Sequence, residues 1–390
     1  MPSIELEEVY KIFGEEPDLA LDMLKEGKDK DEIQSETGQV VGVRGISFDI
    51  QENELFVIMG LSGSGKSTLL RCVNRLVEPT SGKIVLHTDG QDYNVVDADT
   101  ETLRQIRETQ MSMVFQNFAL FPHRSVVDNV AFGLEIQGID KKERSRKAKE
   151  LIEVVGLEGF GESYPSQLSG GMQQRVGLAR GLATGADILL MDEPFSALDP
   201  LIKVEMQDEL LDLRQEMERT ILFVTHDLDE ALKLGDRITI MEAGKMVQLG
   251  TPEQIIVSPK TEYVADFVEN ADPSDVLRAE TIASTDINPD QNNRVALTES
   301  VEVEIDSDGQ VVQGFLSDTP ISVKPLDEIE GLNEDAVLST SPDTPISKIM
   351  RARLSYATTP VVIIKDGKLT GYVTERNILH GLLEKGRKEI

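Results

Sequence analysis

The stretch Gly60-Leu61-Ser62-Gly63-Ser64-Gly65-Lys66-Ser67-Thr68 satisfies G-x-x-x-x-G-K-[ST] at every specified position, and it limits the fold more than any other part of the chain. Such a loop works between a buried strand and a helix. Leu55–Met59 before it is a continuous apolar run suited to a parallel strand, and Leu69, Leu70, Val73, Leu76 and Val77 behind it fall at helical spacing. In that setting the glycines let backbone N–H groups curl around phosphates and the helix N-terminus adds its positive end. Lys66 then reaches the β/γ-phosphates and the Ser67 hydroxyl holds Mg²⁺. A nucleoside triphosphate is the expected ligand. The alternative is a glycine-rich turn that binds nothing, and the rest of the chain decides between them.

At 390 residues the chain has room for two or three domains. No apolar run approaches the roughly 18 residues of a membrane span and no signal peptide pattern opens it, so a cytoplasmic protein is expected. Cys72 is the single cysteine, which excludes an internal disulfide; on the helix after the phosphate loop it reads as a small buried hydrophobe. The 39 basic residues face 70 acidic ones, a formal net charge of −31. Such a surface repels nucleic acid, so no nucleic-acid partner is expected. It also suggests a halophilic source, because molar salt shrinks the Debye length to about 3 Å.

Taken in order, residues 4–13 begin with apolar–polar alternation, like an edge strand of an antiparallel sheet, and end at Phe13. An insertion over 15–38 carries two short helices, 17–25 and 29–36, before strand character returns at 40–43 and 46–50. From about residue 98 the pattern is helical, with a short strand at 111–115 ending at Gln116, a helix capped by Ser125 and running to about 137, and a charged helix over 141–155. After Pro165 comes a second glycine loop, Leu168-Ser169-Gly170-Gly171-Met172, opening a helix that buries Met172, Val176, Ala179 and Ala183; this too suits an anion. The buried strand 188–193 ends in Asp192 and Glu193. Asp192 is placed to hold Mg²⁺ through water, and Glu193 to orient an attacking water or accept its proton. Two carboxylates can also be a polar strand end, but Pro194 and Ser196-Ala197-Leu198-Asp199 come directly after them. The strand 221–224 ends in Thr225-His226-Asp227, at the carboxyl edge of a parallel sheet, where ligands sit.

This ordered set, from the phosphate loop through Gln116, Leu168 to Met172, Asp192-Glu193, Ser196 to Asp199 and His226, resembles the nucleotide-binding subunit of an ATP-binding-cassette (ABC) transporter. Residues 4–270 are similar, more narrowly, to ATPase subunits of glycine betaine/proline importers, which share the insertion at 15–38 and the wording Phe-Val-Ile-Met-Gly-Leu-Ser-Gly-Ser-Gly-Lys-Ser-Thr. The resemblance implies an α/β fold with a mixed sheet core, an antiparallel β-subdomain and a helical subdomain over about 98–172. It implies ATP and Mg²⁺, with Phe13 stacking on adenine and Gly60, Ser62, Gly63, Ser64, Gly65, Lys66, Ser67 and Thr68 cradling the phosphates. Ser67, Gln116 and Asp192 would hold the metal; Glu193, His226 and Gln116 would form the hydrolytic set. Ser169 and Gly171 would bind the γ-phosphate across a head-to-tail dimer of two copies, and Gly170 and Asp199 would also belong to the nucleotide-binding set. Met172 stands where many cassettes have glutamine, which leaves the phosphate contacts of Ser169 untouched. A transmembrane permease is the implied partner, a solute-binding receptor an indirect one, and the cytoplasmic face of the membrane the implied place of work.

Beyond a hairpin at 237–249 and short helices to about Asn270, Asp272-Pro273-Ser274 reads as a linker. The expected domains are therefore 1–270 and 271–390. In the second, residues 344–383 give helix, strand, an Asp366-Gly367 turn, strand and helix, resembling a cystathionine-β-synthase (CBS) repeat of small α+β type. Residues 301–317, with Asp308-Gly309, resemble a degenerate first copy. CBS repeats pair and bind adenosine nucleotides through Gly-x-x-Thr-x-x-Asp; here Asn377 replaces the final carboxylate, and a plain spacer or dimerisation module is the other reading. The implied function is an ATPase energising the import of compatible solutes, with CBS-linked osmotic regulation. Alternatives are import of another small solute, a non-transport cassette, and a nucleotide-binding regulator without turnover. The non-transport cassette would show paired cassettes, coiled-coil arms or a basic surface; the regulator would lack Glu193 or His226. Two surfaces have two readings each. Phe118 and Phe121 either line a groove for the permease or belong to the helical core. The six basic residues between 141 and 149 are either a solvated helix face or a contact for anionic lipid or the acidic CBS surface.

Overall fold

The computed structural model describes residues 2–383 except 89, 117, 197, 217, 270, 329–335 and 356–359; the expectations placed on Asn117, Ala197 and Asn270 lie outside the described residues. The chain divides into two compact units, Met1–Ile255 and Ile256–Ile390. The strands of the first are β1 (Pro2–Phe13), β2 (Val40–Gln51), β3 (Leu55–Met59), β4 (Ser81–Thr88), β5 (Gln91–Asn94), β6 (Met111–Val114), β7 (Ile188–Asp192), β8 (Thr220–Thr225), β9 (Arg237–Glu242) and β10 (Lys245–Gly250). They form an antiparallel sheet of order β2-β1-β4-β5 and a mixed sheet of order β10-β9-β3-β8-β7-β6, in which β10 alone runs against its neighbour.

The central strands β3, β7 and β8 are buried at every position, as a parallel sheet covered on both faces requires. Between the two sheets lies one core, in which Ile4, Leu6, Ile46 and Ile50 meet Phe56, Ile58, Leu190 and Leu222, with Leu69, Leu70 and Val73 of the phosphate-loop helix among them. Phe48 stacks on Phe56 with ring centroids 4.6 Å apart, joining the sheets across that core. Each such side chain contributes about 2 kcal/mol by leaving water.

Three local expectations are corrected. β1 is an inner strand, bonded to β2 on one side and β4 on the other, and not an edge. Alternation reports which face of a strand is buried and carries no information about its edges. Residues 40–50 form one strand, with the left-handed Gly45 (φ 60°) inside it. The phosphate-loop helix ends at Val73, because Arg75 is left-handed (φ 54°), so Leu76 and Val77 lie beyond it and Leu76 is exposed.

The insertion holds helices Pro17–Lys25 and Lys30–Thr37. Asp29 caps the second in a reciprocal box with Glu32, a feature that stabilises by about 1 kcal/mol. A small core of Ile12, Ala20, Leu21, Ile33 and Val41 fastens both helices to the antiparallel sheet. The stretch after Ser125 is two short helices, Val126–Val130 and Phe132–Ile136, rather than one. With Lys141–Val154 and Gly170–Ala183 they build a separate helical core around Val130, Leu134, Ile152 and Val176. On the basic helix, Arg146 bonds Glu143 at 2.7 Å and Glu150 at 2.5 Å, the pairing that a solvated face predicts.

The second unit carries β11 (Arg294–Ala296), β12 (Val301–Ile305), β13 (Val311–Leu316), β14 (Thr319–Pro325), β15 (Ala336–Thr340), β16 (Val361–Lys365) and β17 (Lys368–Val373) in one sheet, neighbours in chain order. Residues 336–383 run strand, helix Ile346–Ser355, hairpin β16–β17, helix Glu375–Leu383. The β12–β13 hairpin turns at Gly309 (φ 82°), but its continuation is a third antiparallel strand, β14, where a repeat would place a helix. Asn377 is occupied locally. Its side-chain oxygen accepts from the Thr374 amide at 2.9 Å and hydroxyl at 2.5 Å, while the Thr374 hydroxyl accepts from the Asn377 amide. The pair is a helix cap, which either amide or carboxylate at 377 satisfies.

Cys72 is fully buried in the inter-sheet core, and burial pushes its thiol up to about 12. It should resist iodoacetamide in the native protein at pH 8 and react fully once the protein is unfolded in guanidinium, as followed by intact-mass spectrometry; rapid native alkylation would contradict the packing.

Candidate nucleotide-binding and hydrolytic site

The phosphate loop is wedged between two backbones. A side chain at Gly65 (φ 98°) would put its Cβ 2.2 Å from the Gly42 carbonyl oxygen on β2, and one at Gly60 would approach the Met241 carbonyl to 2.3 Å. From the β9–β10 turn, the Gly244 amide donates to the Ser64 carbonyl at 3.0 Å. Glycine is required at 60 and 65 by space as well as by dihedral angle. Gly42 is crowded in turn by the Phe13 ring and by Thr68, whose atoms would lie 2.9 and 3.4 Å from a Cβ there. Phe13 is 41% exposed, with the Lys11 ammonium 4.9 Å from its ring centroid. An exposed aromatic face beside a phosphate loop is suited to stacking with a base.

Lys66 opens the helix Lys66–Val73 and is buried. Its ammonium donates to the Leu61 carbonyl at 3.0 Å and stands 3.9 Å from Glu193 Oε1. Burial pulls its pKa below the ordinary lysine value, with Glu193 and Asp192 opposing the shift. Asp192, at the end of β7, is fully buried; Arg71 donates to its Oδ2 at 2.8 Å, while Oδ1 has no hydrogen-bond partner. The Ser64 hydroxyl is likewise buried and unpartnered. An orphaned carboxylate oxygen beside a phosphate loop is the donor chemistry a hard, hydrated cation calls for, so the residues present fit Mg²⁺.

Glu193 follows Asp192 in a left-handed conformation (φ 46°) that few non-glycine residues adopt. Its Oε2 accepts from Gln116 Nε2 at 3.3 Å and lies 3.0 Å from His226 Nδ1. Gln116 comes just after β6 and His226 just after β8, so three carboxyl-end positions converge on one oxygen. A carboxylate steered by two neighbours and set beside a buried ammonium can orient a water and take its proton.

Lys66, Gln116, Asp192, Glu193 and His226 are thus brought together as the sequence predicts. Ser169 and Gly170 are not: they are exposed at the start of the helix Gly170–Ala183, where Ser169 accepts from the Met172 amide at 3.3 Å. Asp199 caps the helix Pro200–Glu216 through the Ile202 amide. Phe121 packs on Phe132 with centroids 4.6 Å apart, and the fully buried Asn129 bonds both its amide and its carbonyl. These contacts hold the half-buried Phe121 against the two short helices Val126–Val130 and Phe132–Ile136. Sequence reasoning missed Arg71, although it stands one helical turn after Ser67, a spacing that puts the two on one face. It also missed Arg180, which bonds the carbonyls of the left-handed Phe118 and Ala119.

The profile of the ABC transporter family matches residues 43–196. The chain is 48% identical to the glycine betaine/carnitine transport ATP-binding protein GbuA of Listeria monocytogenes and 44% identical to the glycine betaine/proline betaine transport system ATP-binding protein ProV of Escherichia coli; each alignment covers 98% of both chains. Among solved structures it is similar to the cassette MJ0796, a dimer in a post-hydrolysis state bound to ADP and Pi. That likeness has 31% identity and a TM-score of 0.53, over 64% of this chain and 98% of that one. Among the described residues no helix is long and apolar enough to cross a membrane. Likeness of this extent, with the phosphate loop and the Glu193 cluster assembled, shows that the chain belongs to the ABC transporter family, among the ATP-binding subunits that hydrolyse ATP.

Proposed function

We propose that this ATPase drives import of a compatible solute of the glycine betaine or proline class, working as a head-to-tail dimer beneath a transmembrane permease, on the cytoplasmic face of the membrane. The observation that carries the solute class is that both full-length relatives, GbuA and ProV, are named for glycine betaine and match across both units of the chain. A receptor would deliver the solute to the permease without touching this subunit.

In this reading Lys66 and the amides of the phosphate loop bind the triphosphate, and Phe13 takes the adenine face. Ser67, Gln116 and Asp192 would hold Mg²⁺, which when bound offsets phosphate charge. Glu193 orients the attacking water and accepts its proton, while Gln116 and His226 fix the carboxylate and His226 faces the γ-phosphate. Ser169, Gly170 and Asp199 are exposed in the single chain and Gly171 is half-buried; these residues would serve the nucleotide of the second copy. Residues beyond about 270 would form the regulatory module. The strand–helix–hairpin–helix run of 336–383 supports one CBS repeat; the meander β12–β14 would be a first copy whose helix has been replaced by a strand.

Glu193→Gln keeps the shape and removes the base. ATP binding should persist, turnover should fall about a hundredfold or more, and ATP should trap a dimer visible by size-exclusion chromatography. Turnover near the parent rate would refute the assignment. Lys66→Ala should instead raise the Kd for a fluorescent ATP analogue by at least about tenfold, because it deletes a charge-assisted bond to phosphate. For the solute, ATP-driven uptake of labelled glycine betaine and proline into vesicles carrying the assembled importer gives a direct answer; uptake of neither would redirect the reading to another small solute.

A further inference from the structure

His226 must be aimed at Glu193 for hydrolysis. Its side chain is 54% exposed and meets Glu193 through one ring nitrogen, so the ring depends on its backbone for orientation. That backbone is bracketed by an ionic knot. Thr225, buried at the end of β8, donates its hydroxyl to Glu230 Oε2 at 2.5 Å and accepts from the Asp227 amide at 3.0 Å. Asp227 Oδ1 in turn caps the helix Leu228–Leu234 through the Glu230 amide at 3.2 Å. Two carboxylates therefore share one turn, and that of Glu230 is buried. Such an arrangement holds only if a cation enters it.

The cation is Lys203. Its ammonium lies 2.6 Å from Asp227 Oδ2 and 2.8 Å from Glu230 Oε1. Burial opposes the charge on Lys203, yet its bonds to Asp227 and Glu230 raise its pKa above the ordinary lysine value; Asp227 is held below the usual carboxylate value by Lys203 against the effect of burial. Lys203 stands in the first turn of Pro200–Glu216, its amide donating to the Asp199 carbonyl at 2.9 Å. A small polar cavity lined by Ser196, Lys203, Thr225, Asp227 and Glu230 also reaches Glu193 and His226.

We propose that Lys203 is a positioning residue for hydrolysis: by neutralising Asp227 and Glu230 together, it fixes the turn that aims His226 at Glu193 and ties that aim to the helix beginning after Asp199. The inference rests on the hydrolytic role of His226 given above. It differs from a purely structural role in one respect, that loss of Lys203 acts through His226 and not through nucleotide binding.

The test is a double-mutant cycle on the full-length chain with Lys203→Met, Lys203→Arg, His226→Ala and the double variant Lys203→Met/His226→Ala, measuring kcat and KM for ATP. Lys203→Met should lower kcat by about tenfold or more with KM within about twofold, since a small misplacement costs rate and not ground-state affinity. Lys203→Arg should recover the parent rate to within about threefold, and Lys203→Met should add less than about twofold once His226 is absent. An unchanged kcat in Lys203→Met, a loss expressed in KM, or full additivity with His226→Ala would overturn the proposal. Parent turnover in His226→Ala would instead overturn the reading of His226 on which it rests, and the two failures are told apart by that variant alone. Should Lys203→Met fail to fold, Lys203→Met/Glu230→Gln removes one charge of each sign and enters the same comparison. Histidine-labelled spectra give a second readout: with four histidines in the chain, the His226 ring signal, assigned by its absence in His226→Ala, should shift in the methionine variant and return in the arginine one.

Discussion

The contact between Gly65 and the carbonyl of Gly42 is backbone against backbone, with no side chain between them, and the placement of the site depends on it. The same holds for Gly60 against Met241 and for Gly244 against Ser64. Two sheets of different connectivity are brought so close at these points that the phosphate loop takes its shape from both. The inter-sheet core, with Phe48 on Phe56 at its centre, supplies the apolar burial that keeps them there. A loop made of glycines costs conformational entropy on folding, and here rigid neighbours on two sides take up that freedom.

Charge is handled by position. The chain is strongly acidic as a whole, yet around the site the buried Asp192 and Glu230 and the half-buried Glu193 each have a nearby cation: Arg71, Lys203 and Lys66 respectively. Removing one partner of a buried pair costs about 3–5 kcal/mol. The surface pairs of the basic helix are screened by water and salt and contribute little. Integrity of the site therefore rests on a few cations that reach its carboxylates, while the much larger surface imbalance acts on solubility and long-range repulsion.

Much of the site was legible in the sequence, because strand ends in a parallel sheet are where ligands sit and the chemistry-bearing residues stood at those ends: Gln116 after β6, Asp192 and Glu193 at β7, His226 after β8. The phosphate loop between Leu55–Met59 and its helix came from pattern alone. Contacts between distant parts of the chain could not be read. Arg71 reaches Asp192 over 121 positions and Lys203 reaches Asp227 over 24, and nothing in either local pattern names the partner. The inner position of β1 was missed because alternation describes faces. The strand β14 was missed because Asp308-Gly309 fixes a hairpin turn without fixing the element after the hairpin.

The strand β2 has a further consequence for the molecule in company. It is twelve residues long and lies at the margin of its sheet, and a margin of that length is ordinarily an invitation for a strand of another chain to add itself. Here the invitation is withdrawn. The register against β1 slips repeatedly between Leu6 and Ile12, Gly45 turns the backbone into the left-handed region, and the Arg44 amide is engaged by the Gly244 carbonyl of the neighbouring sheet at 2.8 Å. An uninterrupted ladder cannot form on such an edge, so the irregularities that shape the phosphate loop from one side also guard a crowded protein against sticking to its own copies.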